Sequence, residues 1–431
     1  MEIQLKKLLE NPMRLNLIFL GINLIQNALQ YVVQLALGQW LLPSDYGLYN
    51  AINSGAAIIN TGGIVISYLV VELFLRHEGK AHIQTKFLTA IFGIITAFSA
   101  LTMLATYVAR ANLMEYFKLT SSTHSLWLGG LAVSSLFLHF TIGVLQARRS
   151  YQSIAIQGLI ASAMRLGLCF LLVKLASTAS EGALGAGVIS IGLATLYGWK
   201  KAKVSQYIAL SQPLDWIPTL RTMIKQLPGI AVTMFCITFM ANIDIPLVRM
   251  FCTEHESGMF SAAAIIGRTC LLIPGVLVFI IYPEALRKAL SDRFVIPQLF
   301  KDLKLTFLIS CSICLVIQAA PELILSVFYG EDYAREGASS LRLVAWSMSL
   351  LALLNIFFNY HLATKQYKMF IPILACYVAL MAYFSIIPPQ SPDGIPTGMI
   401  VCFIAILSFE FCNVINRSSK IPSNQADKSV I

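Results

Sequence analysis

The chain has 431 residues, of which 57% are hydrophobic and 12% charged, with a mean hydropathy of +0.73. This is too apolar for a soluble domain and reads as an all-α polytopic membrane protein. The formal net charge of +10 would suggest nucleic acid in a soluble protein. Here it sits in loops between apolar runs, so it bears on topology, and no nucleic-acid partner is expected.

Runs of about 20 apolar residues recur along the chain, each long enough to cross a hydrocarbon core of about 30 Å as a helix. Barrel strands would alternate in shorter segments. In chain order, spans are predicted near 15–41, 47–71, 86–108, 125–147, 152–174, 182–199, 226–252, 258–283, 303–321, 339–361, 369–388 and 396–416. The first run lacks a small-x-small cleavage site after a short apolar core, so it reads as a retained helix.

Alternate loops hold 23 of the 31 lysines and arginines, among them Lys6, Arg76, Arg148, Lys200, Arg287, Lys365 and Arg417, while the intervening loops hold Arg110, Lys118, Lys174, Arg335 and Arg342. Basic loops favour the cytoplasmic side, so both termini are predicted there. The basic connection 200–225 divides the chain into a six-span lobe over 1–199 and another over 226–416, followed by a cytoplasmic tail over 417–431. The halves echo each other: Gly47-Leu48-Tyr49-Asn50-Ala51 matches Gly258-Met259-Phe260-Ser261-Ala262, and Leu145–Tyr151 matches Leu362–Tyr367 more faintly. Six is even, so the expectation is a parallel repeat with its pseudo-twofold along the membrane normal, about 12 transmembrane helices in all.

Within the first span, Asn16, Asn23, Asn27, Gln30 and Gln34 fall on one helical face. Such an amide stripe either lines a hydrated cavity or bonds neighbouring helices. Asn50, Asn53 and Asn60 repeat the pattern in the second span, as do Asn355 and Asn359 in the tenth. Three arginines fall inside spans: Arg165, Arg249 and Arg268. Arg165 lies roughly 20 Å from its cytoplasmic helix end. At that depth it either makes a structural ion pair or meets an anionic substrate. Asp244 and Arg268 sit at similar depth, and either pair with each other or form an ion site with its counter-charge. Arg249, near the outer boundary, is expected to snorkel outward, and Glu410 to reach the cytoplasmic interface. Pro246, Pro274 and Pro283 interrupt the seventh and eighth spans.

The nine cysteines lie within apolar runs and read as small core hydrophobes. There is no GxxxxGK[ST] phosphate loop, and no HExxH motif suggests a metal. No cofactor is expected, and work would come from a proton or sodium gradient. The outer loops are mostly short, which disfavours a membrane enzyme.

Several stretches carry a resemblance. They are Leu42-Pro43-Ser44-Asp45-Tyr46-Gly47-Leu48-Tyr49, Asn242-Ile243-Asp244 with Gly258-Met259-Phe260-Ser261-Ala262, Tyr282-Pro283-Glu284, and Phe328-Tyr329-Gly330-Glu331-Asp332-Tyr333 followed by Leu341-Arg342. In this order the chain resembles the polysaccharide-synthesis (Wzx-type, O-antigen) oligosaccharide-lipid flippases of the multidrug/oligosaccharidyl-lipid/polysaccharide exporter superfamily. The resemblance implies two lobes in a V around a central cavity in the cell inner membrane. It implies transfer of undecaprenyl-pyrophosphate-linked sugar units from the cytoplasmic to the periplasmic leaflet, with membrane lipids and the polysaccharide polymerase and chain-length machinery as partners. A pyrophosphate in a low-dielectric setting needs positive charge and bidentate donors. Arg165, Arg268 and, with less weight, Arg249 are the candidates, with Asp244 as counter-charge or coupling-ion site. Asn23, Asn27, Gln30, Gln34, Asn53, Asn355 and Asn359 would line the cavity. The rivals are a drug or toxin exporter of the same superfamily, which would lean on buried carboxylates, and a membrane polymerase or ligase for lipid-linked sugars, which would need essential outer-loop residues.

Overall fold

The computed structural model describes residues 12–77, 80–119, 121–176, 178–206, 216–274 and 296–418, without the side chains of 12–20, 23–24, 75–76, 81, 216–227 and 416–418. The chain forms two compact units, 1–234 and 235–431. Every described element is helical, as an apolar medium demands of a backbone that must satisfy its own hydrogen bonds.

The first unit holds α1 (Pro12–Trp40), α2 (Pro43–Ile59), α3 (Thr61–Arg76), α4 (Ala81–Val108), the short α5 (Arg110–Tyr116), α6 (Thr123–Ala147), α7 (Tyr151–Leu175), α8 (Ala179–Ala202) and most of α9 (Trp216–Asn242). Pro43 opens α2 at a position whose N–H would have no helical partner. Asn60 separates α2 from α3, and its N–H still bonds back to the Ala56 carbonyl. The two therefore read as one 32-residue crossing, Pro43–Phe74. Helix α6 is central to the unit, packing on α2, α3, α4 and α8. Leu69, Val70, Ile91, Leu136, Phe140 and Val144 meet in a buried cluster between α3, α4 and α6.

Small residues let these helices approach closely, which replaces the hydrophobic drive that lipid does not supply. A methyl at Gly143 would stand 3.0 Å from the Ser67 backbone of α3, and one at Gly182 would penetrate the Leu172 carbonyl of α7. Gly182→Ala is therefore expected to force α7 and α8 apart and to destabilise the chain by about 1–3 kcal/mol, read as a lowered thermal midpoint in detergent.

The second unit holds the end of α9, α10 (Asp244–Phe251), α11 (Glu254–Gly267), α12 (Ile296–Ala319), α13 (Pro321–Tyr329), α14 (Glu331–Ala363), α15 (Phe370–Ile386) and α16 (Gly394–Ser418). Helix α14, 33 residues long, packs on α11, α12, α13 and α16. It takes in the 331–338 stretch that hydropathy assigns to an outer loop, because a helix can extend past the apolar layer. Thr253 and Glu256 cap the start of α11 reciprocally. Gly330, at φ 104°, turns the chain between α13 and α14, a conformation that excludes most side chains. The tyrosine-glycine motif thus builds a corner, with the Tyr329 and Tyr333 rings 5.4 Å apart across it.

Among the described residues, nine helices are long and apolar enough to cross a membrane, or up to eleven with two bent pairs counted as spans. Pro228–Asn242 and Asp244–Phe251 meet at 48°, and Ile296–Ala319 and Pro321–Tyr329 at 83°. The first bend falls at Ile243 and leaves Pro246 in the first turn of α10, where it costs little. Pro283 and the Tyr282-Pro283-Glu284 motif lie outside the described residues.

Candidate functional site

In the first unit, α2 and α7 bring a cation onto two neutral partners. The Arg165 Nη2 of α7 donates to the Tyr49 hydroxyl at 2.6 Å and to Asn53 Oδ1 at 2.8 Å. The guanidinium carbon also lies 5.7 Å from the Tyr49 ring centroid. The α2 spacing makes this possible: Tyr49 and Asn53 are one turn apart, and the Asn53 amide also donates to the Tyr49 carbonyl at 2.8 Å. Among the described residues Arg165 has no carboxylate partner, and its Nε is buried without a hydrogen bond. The half-buried guanidinium is held by neutral oxygens, and part of its donor fork is unspent.

The amide stripe of α1 leads toward the same helices. Gln30 donates to the Ser162 hydroxyl of α7 at 3.1 Å, and Gln34 accepts from the Tyr46 hydroxyl of α2 at 3.3 Å. Asn27 is exposed, and the Asn23 side chain lies outside the described residues. Gln30, Gln34 and Arg165 thus belong to one polar seam on α1, α2 and α7. Tyr49 and Ser162 join it although in-span polarity does not single them out. The clue to Tyr49 is its place one turn before Asn53 in a tyrosine-rich helix start.

In the second unit Asp244, Arg249 and Arg268 each meet an opposite charge. Arg268 Nη2 meets Asp244 Oδ1 at 2.6 Å, with Asp244 1% exposed, so the two residues pair directly. Asp244 Oδ1 also accepts from the Ile245 N–H at 2.9 Å. The carboxylate stands at the first position of α10, where the helix dipole favours negative charge. The pair leaves Asp244 Oδ2 and Arg268 Nε buried and unbonded. Arg249 does not snorkel: it is fully buried and reaches Glu254 at 3.4 Å, because the bend after α9 and the short α10 turn it inward. Glu410 does not reach the interface either. It is fully buried against His361 at 2.8 Å, since α16 presents it to α14. Asn359 donates to Asn355 Oδ1 at 2.8 Å within α14.

One pair of cysteines is spaced one helical turn apart. Cys311-Ser312-Ile313-Cys314 is a Cys-x-x-Cys run on α12; both thiols are free, and the Gln318 amide donates to the Cys314 Sγ at 3.8 Å. Among the described residues no three His, Cys, Asp or Glu side chains gather as metal ligands.

No protein-family model matches the chain, and no curated protein matches it by sequence. Solved structures do. The chain is similar to the lipid II flippase MurJ in an inward closed conformation, with a TM-score of 0.72, 13% identity, and coverage of 92% of this chain and 87% of that one. It is similar to a multidrug resistance MATE family transporter of the MOP superfamily in an inward-facing conformation (TM-score 0.69, 12% identity, 91% and 96% covered). It is also similar to a variant of the Vibrio cholerae MATE transporter VcmN (TM-score 0.66, 15% identity, 94% and 95% covered). The chain therefore has the helical fold of MATE-type and MurJ-type transporters.

Proposed function

We propose that this chain is a membrane transporter that flips undecaprenyl-pyrophosphate-linked oligosaccharides from the cytoplasmic to the outer leaflet by alternating access, driven by an ion gradient. One observation carries the reading: the Arg165 guanidinium has no carboxylate among the described residues and is oriented by Tyr49 and Asn53. An exporter of cationic drugs would gain nothing from an unneutralised arginine, whereas a pyrophosphate gains a charge-assisted, two-pronged contact. Arg165 is thus the principal pyrophosphate residue. Arg268 and Arg249, whose charges Asp244 and Glu254 already meet, take a lesser share. Asp244 is the counter-charge. Gln30, Gln34 and Asn53, with Asn23, Asn27, Asn355 and Asn359, serve the sugar hydroxyls, which amides bond in either direction.

The fold similarity to a lipid II flippase supports this class of cargo, and the MATE neighbours define the rival. Ligand-dependent thermal unfolding in detergent separates them, because a ligand that binds only the folded state raises its midpoint. A short-chain prenyl-pyrophosphate oligosaccharide is expected to raise the midpoint, and the same sugar-lipid without pyrophosphate to leave it unchanged. Stabilisation by lipophilic cations alone would favour drug export.

A further inference from the structure

The transport reading leaves one buried ionisable pair unused. His361 on α14 and Glu410 on α16 are 2% and 0% exposed, and His361 Nε2 lies 2.8 Å from Glu410 Oε2. Each keeps a second polar atom, His361 Nδ1 and Glu410 Oε1, buried without a partner. Asn413 Nδ2, one turn along α16, is buried and unbonded as well. Two rings flank the imidazole: the Phe370 ring stands 6.1 Å from it, and the adjacent Tyr360 ring 5.6 Å. A buried pair of this kind contributes little net stability. Unsatisfied polar atoms in membrane helices need another reason.

We propose that His361 and Glu410 form the site of the exchangeable proton that drives transport. This deepens the flippase reading and rests on it for the word transport. One proton lies between Nε2 and Oε2. A second binds at Glu410 Oε1, taking the pair to a net charge of +1, and loss of a proton from Nδ1 takes it to −1. No bond other than N–H and O–H changes. The two groups sit on different helices, so each charge state alters the attraction between α14 and α16, which is the differential contact that a two-state transporter requires.

Among the described residues, the titratable groups on the elements packed against the pair include Cys376, Tyr377 and Tyr383 of α15. Asp244 and Arg249 of α10, which touches α16, are held by Arg268 and Glu254. Glu254, His255 and Glu256 of α11 lie at the opposite end of α14, where His255 meets Glu336, and Glu322 of α13 lies at that end too. At the His361 end stand Lys301, Asp302 and Lys304 in the first turns of α12, where Gln298 donates to Asp302, and Lys365 and Lys368 in the turn after α14.

The test uses full-length protein in nanodiscs, as wild type, Glu410→Gln and His361→Gln, with folding checked by circular dichroism. Infrared difference spectra between about pH 5 and 8 are expected to show, in the wild type, a protonated-carboxyl stretch rising together with an imidazole change. Both signals are lost in either variant. In liposomes the same variants are expected to lose proton-gradient stimulation of lipid-linked sugar transfer. A wild-type spectrum without a carboxyl change would overturn the assignment, as would undiminished gradient stimulation in either variant. The infrared measurement needs no substrate, so its outcome stands apart from that of the flippase reading.

Discussion

Arg165→Ala is expected to abolish transfer of lipid-linked oligosaccharide while the protein remains in the membrane. The two halves of that result have separate causes. The guanidinium donates to Tyr49 and Asn53, both of which can bond elsewhere: the Asn53 amide already holds the Tyr49 carbonyl of its own helix. No carboxylate is stranded by its removal, since none pairs with Arg165 among the described residues, and the folding penalty is modest. A pyrophosphate crossing a low-dielectric region, by contrast, loses charge-assisted bonds worth about 1.5–3 kcal/mol each. Two of them amount to roughly a hundredfold or more in rate. Arg165→Lys keeps the charge without the planar fork and is expected to retain partial activity. The check is transfer per membrane-embedded molecule, and full activity of Arg165→Ala would sink the role given to Arg165.

Asp244→Leu is expected to be the more damaging change to folding. It strands the Arg268 guanidinium, whose side chain is only 13% exposed, and breaking a buried pair from one side costs about 3–5 kcal/mol. Asp244→Leu combined with Arg268→Met removes both charges and is expected to restore stability to within about 1 kcal/mol of the parent. Thermal unfolding and membrane yield measure this directly. Transfer is not expected to return with folding, because the pair supplies a counter-charge that leucine and methionine cannot. Full transfer in the double variant would reduce the pair to a scaffold element.

The crossings were legible because hydropathy over about 20 residues is a local property. Among the described residues each predicted span overlaps a helix, the eighth as far as Pro274, and nine to eleven of these helices are long and apolar enough to cross. The 83° bend between α12 and α13 was not legible, since Pro321–Tyr329 is apolar but too short to register as an element, and Pro321 reads as a helix end. Partners were harder still. Arg165 lies 116 residues from Tyr49, and His361 lies 49 from Glu410. Depth could be counted along each helix, but which face meets which neighbour is fixed by packing. Arg249 and Glu410 illustrate the limit: both stand near helix ends, where long charged side chains usually escape to water. Here the α9–α10 bend and the α14–α16 contact turn them inward.

The most direct measurement reconstitutes the protein in liposomes with a short undecaprenyl-pyrophosphate oligosaccharide. It scores the fraction accessible to an external glycan-cleaving enzyme, with and without an imposed proton or sodium gradient. The predicted result is transfer that a proton gradient stimulates and that Arg165→Ala abolishes. Folded protein that moves no lipid-linked sugar under any gradient would contradict the account and turn attention to lipophilic cations as cargo.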